Sequence, residues 1–226
     1  MTIQSRGHEH EFEPEYGLPE ALPAGERILW QGSPDFASVA RRVFHVRKFA
    51  LYFALWLVLR AANTVQDGGS LVDGLMSITV LALMALTGLL TLAALAWATA
   101  RTAVYTLTDK RLVMRIGIAL TLTFNIPLRT MRFAALSRQV GPCADIVIDL
   151  DGDDRIAWLH LWPHVRPWKL ARPQPMLRAV PDAARVAALL TQAWSGATGV
   201  AVAPSAAQIS HAGASAAQPR WQTSPT

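Results

Sequence analysis

The chain is poor in cysteine and poor in charge. Cys143 is its single cysteine, which excludes an internal disulfide and a thiolate metal cluster. Only 16% of the 226 residues are charged, against about 25% in an average soluble domain. Acidic side chains are the scarcer sign, 16 against 21 Lys and Arg, and the formal net charge is +5. A basic balance can serve nucleic acid. Here the Lys and Arg gather beside apolar segments, the pattern that orients a membrane protein, so no nucleic-acid partner is expected. The N-terminus lacks an apolar core and carries Glu9, Glu11, Glu13 and Glu15; no cleavable leader is expected.

Catalytic signatures are missing too. There is no glycine-rich phosphate loop and no nucleophile elbow. His160 and His164 are four apart, but Pro163 between them disfavours a helix, and Leu161 stands where a zinc protease has glutamate. Asp149-Leu150-Asp151-Gly152-Asp153-Asp154 opens like a calcium loop. Its glycine is misplaced, and the twelfth position is His160 rather than glutamate. A hairpin turn is the better reading. His8 and His10, among glutamates, read as a solvated tail. No enzyme and no bound metal are expected.

What is present is apolar: 52% of the residues are hydrophobic. Two apolar segments cover 49–65 and 75–100, with Gln66-Asp67-Gly68-Gly69-Ser70 between them. A spanning helix needs roughly 20 apolar residues, so the pair predicts a transmembrane hairpin. Arg41, Arg42, Arg47 and Lys48 precede it and Arg101 follows it, whereas the connector side holds Asp67 and Asp73. That bias predicts both termini in the cytoplasm. Arg60 lies near the end of the first segment, where it can snorkel to the outer interface.

Beyond Arg101 the text changes to short strands. A strand over 27–31 closes at Gly32, and others are expected over 102–108, 112–116, 121–126 and, more weakly, 128–133. Segments 146–150 and 155–161 flank the Asp-Gly turn and predict a hairpin. Pro181-Asp182 opens an amphipathic helix over 183–194, with Val186, Leu189, Leu190 and Trp194 at helical spacing. The fold class is therefore an α+β membrane protein: an antiparallel sheet or small barrel, a two-helix hairpin inserted in it, and a closing C-terminal helix. The expected organisation is a flexible N-terminus 1–16, a first part of the domain 17–43, the hairpin region 44–100, the main domain 101–194, and a disordered tail 195–226.

The stretch richest in binding residue types is Trp158, His160, Trp162, His164, Arg166, Trp168 and Arg172. On a strand, Trp158, His160 and Trp162 share one face, and past Pro163 the chain becomes a proline-spaced segment. Trp and Arg concentrate binding energy at interfaces and also settle at lipid headgroups. Three readings stay open: a partner contact, a membrane contact, or plain core. His45, His160 and His164 are candidate ligands for the magnesium of a chlorophyll, a sharper and weaker idea.

Two pieces resemble bacterial membrane-anchored PH-like domains. They are Ala24-Gly25-Glu26-Arg27-Ile28-Leu29-Trp30-Gln31-Gly32-Ser33-Pro34 before the hairpin and Tyr105-Thr106-Leu107-Thr108-Asp109-Lys110-Arg111-Leu112-Val113-Met114-Arg115-Ile116-Gly117 after it. The resemblance implies a PH-like antiparallel β domain capped by the C-terminal helix. Gly17-Leu18-Pro19-Glu20-Ala21-Leu22-Pro23, Phe44-His45-Val46-Arg47-Lys48, the segment from His160 to Arg172, and Pro175-Met176-Leu177-Arg178-Ala179-Val180-Pro181 resemble a narrower group. This is the PuhB-like photosynthetic complex assembly protein family of purple bacteria, encoded beside the reaction-centre H subunit. Over about 12–194 this likeness implies a non-enzymatic inner-membrane factor with no resident cofactor. Its implied partners are reaction-centre and core light-harvesting antenna subunits and membrane lipids; free helix faces leave room for a homodimer. Bacteriochlorophyll contact is the weak cofactor reading. A different class of function, a general PH-like module reading lipid headgroups or membrane stress, is the alternative.

Overall fold

The computed structural model describes residues 17–68, 70–118, 120–137, 143–151 and 156–200. The N-terminal segment, the tail beyond 200 and residues 152–155, where a hairpin turn is expected, lie outside the described residues. Elements run β1 (Ile28–Gly32), α1 (Phe36–Arg42), α2 (Val46–Gln66), α3 (Leu71–Thr102), β2 (Val104–Thr108), β3 (Arg111–Ile116) and β4 (Leu122–Pro127). After a short 3-10 turn at Leu128–Thr130 come β5 (Met131–Leu136), β6 (Cys143–Leu150), α4 (Trp158–Leu161), β7 (Met176–Pro181) and α5 (Ala183–Thr198).

The strands form two antiparallel sheets, one in the order β1-β2-β3-β4 and one in the order β5-β6-β7. Each turn has a local cause. Thr108 closes the β2–β3 turn by accepting from Lys110 and Arg111 N–H through its hydroxyl. Gly117 ends β3 at φ 123, where a Cβ would collide with the Leu120 carbonyl. Tyr105, Leu107, Leu112 and Met114 from the first sheet meet Ile146, Ile148 and Leu177 from the second in one core. α5 closes it with Val186 and Leu190, and the Trp194 indole N–H donates to the Met131 carbonyl at 2.8 Å. The helix expected over 183–194 runs one turn further, to a left-handed cap at Gly199.

The hairpin leaves the domain between β1 and β2, whose ends are paired as Gly32↔Tyr105. α2 and α3 are long and apolar enough to cross a membrane. At 1.5 Å per residue they measure about 32 and 48 Å. α2 buries no residue at all, so Leu51, Leu55, Trp56 and Leu59 are exposed along it. The two helices touch closely at the end remote from the domain: a Cβ on Gly74 would lie 2.7 Å from Thr64. Arg60 does not stand alone there, because its Nε donates to the Ser77 hydroxyl at 2.5 Å.

At the domain end, α1 packs beside α3. Asp35 caps α1 by accepting from Ser38 N–H at 2.8 Å. Val39, Phe44 and Ala96 then join Ala179 of β7 in a second, smaller core. The Arg42 guanidinium donates to the Cys143 carbonyl at the start of β6. The end of the second sheet where β6 begins at Cys143 and β7 carries Ala179 therefore lies against the domain end of the hairpin.

Three expectations need correction. The hairpin of 146–150 with 155–161 does not form: β6 pairs with β5 and with β7, and Trp158–Leu161 is one helical turn. Leu161 is buried and Leu159 is 77% exposed, although strand alternation would put both on one face. The weak strand over 128–133 is a 3-10 turn followed by β5. One sheet is two, because β4 ends at Pro127 and the chain turns before β5 starts a separate ladder.

Candidate interaction site

The Trp/His/Arg stretch is tied to the sheets by a buried polar network. Strand alternation in β2 turns Tyr105 into the core, where its hydroxyl lies 2.6 Å from His164 Nδ1. That hydroxyl also accepts from the Arg178 backbone N–H at 3.1 Å. Its own proton therefore goes to Nδ1, which assigns the neutral Nε2–H tautomer to His164. Burial dominates and holds the imidazole pKa down at about 3, with the Arg178 charge acting in the same direction. Burial likewise pushes the Tyr105 phenol well above its usual range.

Arg178 of β7 is the knot. It donates through Nε to the Pro163 carbonyl at 3.0 Å and through a terminal nitrogen to the Val165 carbonyl at 2.9 Å. Its other terminal nitrogen pairs with Asp145 of β6 at 3.3 Å. Asp145 in turn accepts from the Ala179 N–H at 2.7 Å, where the backbone bulges at φ 48. Burial lowers the Arg178 pKa, and Asp145 opposes that shift. Two carbonyls, one carboxylate and one guanidinium thus satisfy each other inside the fold, as buried polar groups must.

The predicted contact residues separate into three sets on this frame. His164 is 1% exposed and belongs to the core rather than to the domain surface. Trp158 is half-buried against the same core. Its indole N–H and His164 Nε2 are buried without a hydrogen-bond partner among the described residues. Trp162 is half-exposed, and its ring meets Phe44 edge-on at 6.0 Å, which joins the stretch to the mouth of α2. His160, Arg166, Trp168 and Arg172 are exposed. The strand geometry that would align Trp158, His160 and Trp162 on one face is absent, because these residues occupy a helical turn and its end.

The basic residues that flank the hairpin are also placed. Arg41, Arg47 and Lys48 are exposed around the α1–α2 joint, as is His45, which adopts φ 52 there. Arg42 is half-buried against β6. Arg101 lies over the Trp97 ring at 5.6 Å on the last turns of α3.

Sequence reasoning missed Tyr105, Asp145 and Arg178 as site residues, and also the support beneath Arg166. There, Arg166 donates to the Gln174 side chain at 2.9 Å, and Gln174 donates to Asp149 at 2.6 Å. A groove of about 460 Å³ opens beside this support. Its lining includes Leu136, Val147, Arg166, Trp168, Met176 and Arg178.

Two antiparallel sheets of four and three strands around one core, closed by a C-terminal helix, define a PH-like domain. The chain belongs to the bacterial PH domain family, whose model matches residues 49–194. It is also 39% identical over 194 residues to an uncharacterised 23.7 kDa protein in the puhA 5′ region of Rhodobacter capsulatus. That alignment covers 82% of this chain and 87% of the relative. No solved structure matches the chain.

Proposed function

We propose that the chain is a non-enzymatic assembly factor of the bacterial inner membrane. It escorts subunits of the photosynthetic reaction centre and of its core light-harvesting complex. The observation that carries this reading is the relative in the puhA 5′ region, aligned over most of both chains. The likeness to the assembly family of purple bacteria supports the same role.

The physical logic runs from the hairpin. α2 and α3 span the bilayer, and the basic residues at their domain ends, Arg41, Arg47, Lys48 and Arg101, hold the PH-like domain and both termini in the cytoplasm. The hairpin leaves apolar helix faces unpartnered, available to lipid, to a second copy, or to the helices of reaction-centre and antenna subunits. The PH-like domain beneath them offers His160 and Trp162, which lie ahead of the loop at 166–174, to the cytoplasmic ends of those subunits. The role needs no cofactor; His45 and His160 are the exposed histidines that would meet bacteriochlorophyll if pigment were handed over.

Deleting the gene in its phototrophic host and recording near-infrared spectra tests the proposal. Reaction-centre and core-antenna bands should fall together, and unchanged bands would overturn it. The family match favours a second reading, a PH-like module that binds lipid headgroups or regulates membrane stress. Normal photosynthetic complexes combined with altered sensitivity to membrane perturbation would select that reading.

A further inference from the structure

We propose that the loop between Arg166 and Gln174 is a second membrane attachment, which inserts Trp168 and Leu170 into the cytoplasmic leaflet of an anionic bilayer. The inference rests on the reading that α2 and α3 span that bilayer.

The base of the loop is fixed. Val165 bridges to Pro175 in antiparallel fashion. Arg166 N–H donates to the Gln174 carbonyl at 3.0 Å, and Met176 N–H to the His164 carbonyl at 2.9 Å. The Arg166–Gln174–Asp149 side-chain relay braces the same base. Pro167 and Pro173 stiffen both arms. A loop held in this way gives up little conformational freedom when it binds.

The tip is built against solvent. Trp168 is 92% exposed and Leu170 65% exposed, although both sit on a domain with an apolar core at hand. Trp168 adopts φ 64, a left-handed conformation that bulky residues avoid. A tryptophan in that conformation, with its ring in water, suits an environment that the free domain does not supply. The loop reads Arg-Pro-Trp-Lys-Leu-Ala-Arg-Pro from 166 to 173, with three cations and no carboxylate. An indole with a leucine beside it, rimmed by cations, matches the boundary between acyl chains and anionic headgroups.

Position selects lipid over a protein groove. The stretch leading to the loop packs Trp162 against Phe44, two residues ahead of α2. Ala179, next to the Arg178 knot, packs with Val39 and Ala96 at the same mouth. The chain segments on both sides of the loop are therefore anchored at the side of the domain from which the hairpin leaves, the side that a spanning hairpin would hold to the bilayer.

The test uses the full chain in nanodiscs of anionic phosphatidylglycerol, with or without bromine on the acyl chains. Subtracting the emission of a Trp168→Phe variant isolates the Trp168 signal. A Trp56→Phe variant isolates an indole about 15 Å along α2, inside the bilayer if the hairpin spans. The expected result is that bromine quenches both signals, because both indoles then lie at or below the headgroup level. A Lys169→Glu/Arg172→Glu variant should lose the Trp168 quenching and keep that of Trp56. If Trp56 is quenched while Trp168 emits as an indole in water, the loop is not a lipid anchor; that is the result expected of a loop that reads a protein partner. If neither is quenched, the spanning hairpin falls and this proposal falls with it. Trp168 carries no core contact, so its replacement by Phe leaves the fold intact in every arm.

Discussion

Burial holds the His164 imidazole neutral with a pKa of about 3, whereas an unfolded chain returns it to about 6.5. Between those values the unfolded state binds a proton that the folded state refuses. Stability therefore falls as pH drops through 6.5 and levels off below about 3, by at most about 1.4 kcal/mol per pH unit. Thermal unfolding of the detergent-solubilised protein should accordingly give a lower midpoint at pH 5 than at pH 7. A His164→Gln variant, less stable overall, should lose this part of the pH dependence; an unchanged slope would refute the assignment. Sequence reading left His164 open between a partner contact, a membrane contact and plain core, because its neighbours in the chain are Trp and Arg. What decides its burial is Tyr105, 59 residues earlier, and no local pattern announces a partner at that separation.

β7 and the stretch before it hold together through one side chain. Arg178 donates to the Pro163 and Val165 carbonyls and pairs with Asp145. An Arg178→Met variant keeps roughly the volume and removes the guanidinium donors, leaving two carbonyls without that partner and Asp145 without its cation, held among the described residues by the Ala179 N–H alone. Breaking a buried pair from one side costs roughly 3–5 kcal/mol, and urea unfolding should show a loss of that order. The stretch should also come loose from the sheet, so trypsin should cut the variant faster than the parent after Lys169, the cation of the loop that is not followed by proline. Equal cleavage rates would show that the loop is held by other contacts. Elements with strong local signals were legible in advance: β1 to β4 by their alternation and their Gly, Pro and Asp-Lys boundaries, α5 by its helical spacing. α1 is too short for a clear period, and its cap at Asp35 stands beside Pro34 in what reads as a turn. β7 is a strand with proline on each side, and it exists because β6 offers it a ladder. The helical turn at Trp158–Leu161 looked like a strand because a four-residue run of Trp and Leu fits either period.

The hairpin departs and returns at paired residues, since Gly32 faces Tyr105 across the β1–β2 ladder. Paired antiparallel residues have Cα atoms about 5 Å apart, so a short glycine-rich turn can join the strands directly. Replacing residues 33–103 in that way should yield a soluble domain with dispersed amide resonances and with Tyr105 and His164 still in contact. It should be less stable than the full chain, because the Arg42–Cys143 bond and the small core around Val39 and Ala96 are gone. An insoluble or molten product would mean that the hairpin is part of the folding unit rather than an insertion in it. The sequence by itself determined that two long apolar helices interrupt a β domain, that cations crowd the domain ends of those helices, and that an amphipathic helix closes the chain. These follow from composition and short-range periodicity, which act within a few turns of chain. Only the tertiary structure decided how the Trp/His/Arg stretch divides between core and surface. That division depends on Tyr105, Asp145 and Arg178 arriving from three different strands, and on the space left once the two sheets have filled their common core.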